Sequence, residues 1–504
     1  MTTPAFELGR NPRLADVAAV AEGRRGVRLG ACARARAAKA RAGLLKAAAG
    51  GRPLYGVNTG FGELASRRIA PHQLKLLQRN LVLSHACGVG EPLPESESRA
   101  ILFLRANELS RGHSGARPEL IALMAALVNA KVAPVIPSRG SVGASGDLAP
   151  QAHAALVLIG EGEALWRGRR LPGRRLLARL GLKPAVLEAK EGLALLNGTQ
   201  AMQAVGGLAL HRAWRVWEAA QLAGAMSLEA MTGTPAPFDE AIQRLKPHEG
   251  QARSAFGLRR LLEASAIRRS HRFGDSRVQD PYSLRCMPQV HGAVWDVLRR
   301  STSVVETELR SVTDNPLIAG ARVLSGGNFH GQALSFAYDS AAMALTALGN
   351  ISERRLSQLI SGQSPKLKPF LAAKPGVESG WMIAQVTAAA LASENKVLSH
   401  PASVDSIPTS ANKEDFVSMG MSAALKLSRV VFNVAQIAAV ELLCAAEGVE
   451  AHAPLRPGRG VAKAHALLRS KFAPCRGDGI LSRKLETARE LVLSGFFSGI
   501  IESP

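Results

Sequence analysis

Gly143-Ala144-Ser145-Gly146-Asp147-Leu148-Ala149-Pro150 puts three small residues, Ala144, Ser145 and Gly146, directly ahead of a helix start. Asp147 suits an N-cap, and Pro150 falls in a first turn, where a missing N–H costs nothing. The run from Gln151 to Ile159 continues as helix, so the tripeptide sits at the positive end of a helix dipole. A glycine nitrogen, unshielded by a Cβ, can fold back on the carbonyl two residues earlier. Attack of the Gly146 nitrogen on the Ala144 carbonyl, with loss of water, closes a five-membered imidazolone. Loss of the Ser145 hydroxyl as a second water leaves an exocyclic alkene, an electrophile that no unmodified side chain provides. Read alone, the tripeptide is a loop before an ordinary helix cap, and the cyclisation is the alternative. A serine-hydrolase elbow is a third reading, opposed by Asp147 where G-x-S-x-G needs its last glycine.

The longer string narrows the choice. Gly-Ala-Ser-Gly-Asp-Leu-Ala-Pro closely resembles the signature of the aromatic amino acid lyases, which build 4-methylideneimidazole-5-one (MIO) from this tripeptide. The resemblance implies that Ala144, Ser145 and Gly146 form that group autocatalytically, with no external cofactor.

Composition sets the bounds around this stretch. The chain has 504 residues, 47% of them apolar, which is ample for a core, while aromatics make up only 4%. Five cysteines (Cys32, Cys87, Cys286, Cys444, Cys475) lack paired spacing, the pattern of a reducing compartment rather than a disulfide scaffold. No basic start followed by an apolar core marks a signal peptide, and Val430 to Ala446 contains Asn433, Gln436 and Glu441, which reads as a buried helix rather than a membrane span. A cytoplasmic protein without a membrane partner is expected. The net charge of +23 raises the question of nucleic acid, but the basic runs Arg24 to Arg41 and Arg167 to Arg179 interleave no aromatics and read as solvated faces, so no nucleic-acid partner is expected. The twelve histidines are spread singly, which gives no metal-ligand pattern.

In chain order, residues 1 to about 50 read as helices rich in Ala and Arg. Tyr55-Gly56-Val57-Asn58-Thr59-Gly60-Phe61-Gly62 reads as a tight loop. Asn80 to Gly90 is a helix end running into glycines, with His85 near the C-terminus. A helix from about Pro118 to Ala130 carries Leu120, Leu123, Met124 and Leu127 at core spacing. Gly160 to Lys183 is a polar connection with a hairpin expected around Pro172-Gly173. Asn197-Gly198 follows in Glu191 to Gln200 and on its own reads as a turn. Proline-poor segments at roughly 331–360, 376–398 and 417–450 predict long helices that need a bundle to bury them. Tyr282 and Arg285, in Val278 to Cys286, stand i and i+3 on one helical face, and Arg285 suits bidentate grip of a carboxylate. Ser325 to Gln332 places Phe329 on a glycine-supported turn, and Ser403 to Asp415 is a further polar loop. The last 60 residues read as peripheral helices and a tail.

Six of these strings resemble the same lyase family in the same order, over residues 55 to about 420. The resemblance implies that Tyr55 is the base and that Asn197 hydrogen-bonds the MIO carbonyl and the substrate. It places Tyr282, Arg285 and Phe329 in the catalytic set, and His85, Gln279, Arg285 and Glu414 in the substrate-binding set. Ser84-His85 with Glu414 is similar to the members that convert histidine to trans-urocanate, since two polar groups can bond separate imidazole nitrogens. Lys413-Glu414-Asp415-Phe416 departs from the Gln-Glu-Asp-His common in those members, with Lys413 placed to pair with Glu414. A tyrosine-type lyase, a 2,3-aminomutase and an inactive helical binding protein stand as alternatives. By resemblance the architecture is mostly α. An N-terminal MIO-bearing domain (1–205) precedes a central bundle of long near-parallel helices (206–504), and the chains assemble as a homotetramer whose sites draw on three subunits.

Overall fold

The computed structural model describes residues 4–275, 277–320, 322–364 and 366–501. The described chain is mostly helical, as expected, and its strands are short. It divides into two compact units. The first comprises 1–208, 302–339 and 401–425, and the second 209–301, 340–400 and 426–504. Two stretches that the sequence reading put in the second part, 302–339 and 401–425, therefore pack with the first. The divisions at 208, 301, 339 and 425 each fall inside a long helix: Gln200–Ala230, Met287–Arg310, Gln332–Ile360 and Gly420–Glu450.

The first unit is built around Glu95–Leu109, a helix buried along its whole length from Glu97 onward. Leu14–Ala21 packs on it, because Leu14, Val17, Ala18 and Ala21 recur at i, i+3, i+4 and i+7 and are all buried. Pro118–Asn129 starts on its proline, whose fixed φ suits a first turn, and buries Leu120, Met124 and Leu127. A three-stranded antiparallel sheet joins Ala133–Pro134, Glu163–Trp166 and Arg169–Pro172. Its hairpin turns at Arg167-Gly168, not at the expected Pro172-Gly173. Gly168 adopts φ +73°, and Pro172 instead precedes the short helix Gly173–Arg179.

The second unit contains Met382–Leu398 and the C-terminal helices Arg459–Arg469 and Ser482–Ser494. The most apolar window of Gly420–Glu450 is 89% buried within the protein.

Candidate active site

The tripeptide lies directly ahead of the helix Leu148–Leu158 as the sequence suggested, but Asp147 does not cap that helix with its side chain. The fully buried carboxylate turns the other way, accepting the Ser141 hydroxyl (2.8 Å) and the Met202 N–H (2.8 Å). Burial pushes its pKa up to about 6 against the pull of those donors. Asp147 thus ties the turn to the start of Gln200–Ala230 rather than to its own helix.

Ser145 has φ +52° and Gly146 φ +77°, so the chain bends back on itself at this point. The bend is pinned to Gly198 on both sides. The Gly198 N–H donates to the Ser145 carbonyl (3.1 Å), and the Asp147 N–H donates to the Gly198 carbonyl (2.9 Å). A Cβ on Gly146 would lie 2.1 Å from the Gly198 oxygen, so only glycine fits. The Asn197 side chain is 2% exposed, and its Oδ1 is buried without a hydrogen-bond partner. A buried polar atom left unpaired marks a place where a further group belongs. The residues present therefore fit an MIO at this bend: a left-handed turn, an obligatory glycine, a donor on the retained Ser145 carbonyl and an unpaired amide beside it.

A cavity of about 470 Å³ opens over the turn, lined among others by Tyr55, His85, Ser145, Asn197 and Glu414. Five of the residues singled out from the sequence are thus brought to one place, with Ala144 and Gly146 flanking Ser145 in the chain. Tyr55 heads a turn in which the Gly62 N–H donates to its hydroxyl oxygen (3.3 Å) and Phe61 packs edge-on against its ring. His85 ends the helix Leu74–His85, with Nδ1 3.1 Å from the Ser84 hydroxyl. Burial holds its imidazole below the ordinary value, while the Leu81 carbonyl and the Glu414 charge pull the other way.

Glu414 is held by three hydroxyls: Ser145 on Oε1 (2.9 Å), and Thr409 (2.8 Å) and Ser410 (2.7 Å) on Oε2. The loop before it has left-handed backbone at Ser410, Ala411 and Asn412. Phe416 stacks on His330 at a 7° interplanar angle with centroids 5.9 Å apart.

The remaining residues lie elsewhere. Phe329 is half-buried on the turn after Gly327, in the first unit but outside the lining of the cavity. Gln279, Tyr282 and Arg285 belong to the second unit. Tyr282 and Arg285 do share a face of the short helix Tyr282–Arg285, with the guanidinium 4.4 Å from the ring centroid. Gln279 and Tyr282 are exposed, and Arg285 keeps a buried Nε without a partner. The sequence reading missed the hydroxyls around Glu414 and the role of Gly198. It also missed a buried polar cluster under Asn197, described below.

The geometry defines a class: a helical enzyme that makes an electrophile from its own backbone beside a cavity lined by Tyr, His, Asn and Glu. The chain belongs to the aromatic amino acid lyase family, whose model it matches over residues 13–470. It is 53% identical to the histidine ammonia-lyase of Sorangium cellulosum (strain So ce56), over 98% of each chain. Among solved structures, histidine ammonia-lyase from Trypanosoma cruzi is 39% identical with a TM-score of 0.90, covering 99% of this chain and 95% of that one. A tyrosine aminomutase from Streptomyces globisporus is 35% identical with a TM-score of 0.93, covering 99% and 98%. Backbone shape alone therefore does not separate the activities within the family.

Proposed function

We propose that this protein removes ammonia from L-histidine to give trans-urocanate. One observation carries the reading: His85 and Glu414 line the same cavity as Ser145, Asn197 and Tyr55. An apolar ring would leave Glu414 Oε1, once the Ser145 hydroxyl is lost, and the second His85 nitrogen unpaired at roughly 1–3 kcal/mol each, whereas an imidazole offers each a nitrogen. The relatives named histidine ammonia-lyase point the same way. The MIO supplies an electrophilic carbon that turns the substrate amine into a leaving group. The chain's own residues do the rest. Tyr55 takes the proton from the β-carbon. Asn197 holds the substrate beside the bend. The Ser145 hydroxyl that now donates to Glu414 Oε1 is lost on dehydration, leaving that oxygen for a ring N–H.

Arg285 grips the substrate carboxylate, with Gln279, Tyr282 and Phe329 around it. Because these four are outside the cavity lining, the reading assigns them to neighbouring copies in a homotetramer. Exposed Ile383, Val386 and Val397 on Met382–Leu398 support such self-assembly. The cytoplasm is the proposed compartment.

The test is ammonia release from L-histidine, L-tyrosine and L-phenylalanine, measured side by side. A strong preference for histidine, lost in Glu414→Gln, is expected. A preference for tyrosine would overturn the assignment of the ring pocket. One second reading is migration of the amine to the β-carbon, the activity named for the tyrosine aminomutase to which this chain is 35% identical. Appearance of a β-amino acid in the same assay would establish it.

A further inference from the structure

Beneath Asn197 lies a cluster of charged and polar side chains that touches neither the cavity nor solvent. Arg105 and Glu108, three residues apart on Glu95–Leu109, are 2% and 3% exposed. Arg105 Nη1 donates to two backbone carbonyls of the next segment, Ala194 (2.8 Å) and Asn197 (2.7 Å). Its Nη2 donates to Glu108 Oε1 (3.3 Å) and to Gln200 Oε1. Glu108 Oε2 in turn accepts from the Thr313 hydroxyl (2.9 Å) and from Gln200. Thr313 also receives the Thr199 N–H (3.2 Å) and the Gln200 amide (3.0 Å). The main chain from 194 to 200 is therefore gripped at two carbonyls, one N–H and one side chain.

That segment is the one against which the electrophile-forming bend is built. Gly198 bonds Ser145 and Asp147 on one side. On the other, a Cβ at Gly198 would lie 2.6 Å from Arg105 Nη2 and 2.6 Å from Thr313 Oγ1. Gln151 closes the frame by donating to the Leu196 and Gly198 carbonyls, both at 2.8 Å. A hydrophobic residue at 105 would fill the space, but it would leave both carbonyls unpaired in the interior and deprive the buried Glu108 carboxylate of its guanidinium. A guanidinium, with its fixed fork of donors, sets the angle between the Ala194 and Asn197 peptides in a way that a point charge cannot.

We infer that Arg105, locked by Glu108 and Gln200, is a positioning residue for this reaction. It aims the Asn197 amide into the cavity and presses Gly198 against Ser145 and Gly146, so that the bend is held ready to cyclise. The inference rests on the lyase reading above. Burial raises the Glu108 carboxyl above its ordinary value, opposed by the Arg105 charge, as expected where the guanidinium is its chief counterion.

The experiment compares wild type with Arg105→Lys, which keeps the charge but not the fork. Three readouts are taken: intact mass of freshly made protein, thermal unfolding, and kcat and KM for L-histidine. Wild type must weigh two waters less than its sequence; if it does not, the lyase reading fails and Arg105 is not the cause. With that deficit in place, the expected Arg105→Lys protein is folded but incompletely dehydrated. Its dehydrated fraction is expected to show kcat lower by about a hundredfold, the scale of a 1 Å misplacement, with KM within a few-fold. Folded Arg105→Lys that dehydrates as fast as wild type and keeps its kcat would overturn the inference. If that variant does not fold, Glu108→Gln, which keeps shape while loosening the lock, is read by the same criteria.

Discussion

Each of the two units buries an Arg–Glu pair, and the pairs are wired differently. In the second unit, Arg355 and Glu441 are fully buried, and the carboxylate is saturated by side chains alone: Arg355 (2.6 and 2.9 Å), Ser227 (2.8 Å) and Ser352. Arg355 also donates to His291 Nε2 (3.2 Å), which leaves Nδ1–H of that ring to donate to Gln221 (2.7 Å). Burial, reinforced by the Arg355 charge, holds His291 well below its ordinary pKa, so it stays neutral. In the first unit, Arg105 divides its donors among a carboxylate, the Gln200 amide oxygen and two main-chain carbonyls, and its Nε has no partner. One network ties side chains of helices to one another; the other spends hydrogen bonds on the backbone of a site. The first arrangement stabilises a core, and the second shapes a reaction centre.

The largest effect that separates them is on stability. Removing one partner of a buried pair strands the other, typically at 3–5 kcal/mol. Arg355→Met should therefore lower the unfolding free energy by about that much, while each folded molecule keeps its two-water mass deficit and its kcat. Denaturant melts paired with intact mass would check this. A folded Arg355→Met protein that fails to dehydrate would erase the contrast between the two networks. The double change Arg355→Met with Glu441→Leu should recover most of the lost stability, because neither charge is then left alone.

A smaller effect concerns pH. Among the buried carboxyls with raised values are Asp147, at about 6, in the first unit, and Glu229, at about 7, in the second. Glu229 accepts the Gly458 N–H with both oxygens (3.0 Å each), at the start of Arg459–Arg469. Since its folded value lies above the unfolded 4.5, its contribution to stability is full below pH 4.5 and is lost as pH rises to about 7. The swing is about 3 kcal/mol at 1.36 kcal/mol per unit. Glu229→Gln should flatten the stability profile across that window and leave catalysis alone. Asp147→Asn should flatten a window starting lower, from 3.8 to about 6, and should also slow dehydration, because its carboxylate fixes the turn. Equal behaviour of the two variants in the mass assay would mean that Asp147 is merely another core carboxyl.

What the sequence disclosed, and what it withheld, follows the same division. Local signals were readable: apolar spacing marked Leu14–Ala21 and Pro118–Asn129, and Tyr282 and Arg285 met on one turn because i and i+3 must. Ala144-Ser145-Gly146 was legible only through the contiguous string Gly143 to Pro150, whose resemblance to the lyase signature singled out cyclisation from the ordinary loop. The Arg105 clamp was not, since the carbonyls and the amide that it grips are 89 to 95 positions away and a lone Arg in a helix reads as a surface charge. Asp147 was misread for a related reason. Its type suits a cap, but a tertiary donor at Met202 outcompeted the local one. The Pro172-Gly173 turn failed because proline also opens helices, and Gly168 held the left-handed position the hairpin needed.

The smallest effect tests whether Glu414 is shaped by its surroundings as Asn197 is. Its Oε2 is held by the Thr409 and Ser410 hydroxyls on a loop with left-handed backbone, closer to solvent than the Arg105 cluster. A hydroxyl bond to a carboxylate in such a place contributes about 1 kcal/mol, or roughly fivefold in an equilibrium constant. Thr409→Val keeps the shape and deletes the bond, so KM for L-histidine should rise about fivefold with kcat nearly unchanged. The decisive form is a double-mutant cycle with Glu414→Gln. If Thr409 acts only by orienting the carboxylate, its substitution should cost little more once the carboxylate is gone. A full fivefold loss in the Glu414→Gln background would show that Thr409 supports the loop itself, and the hydroxyl cradle would then be scaffolding rather than part of the substrate pocket.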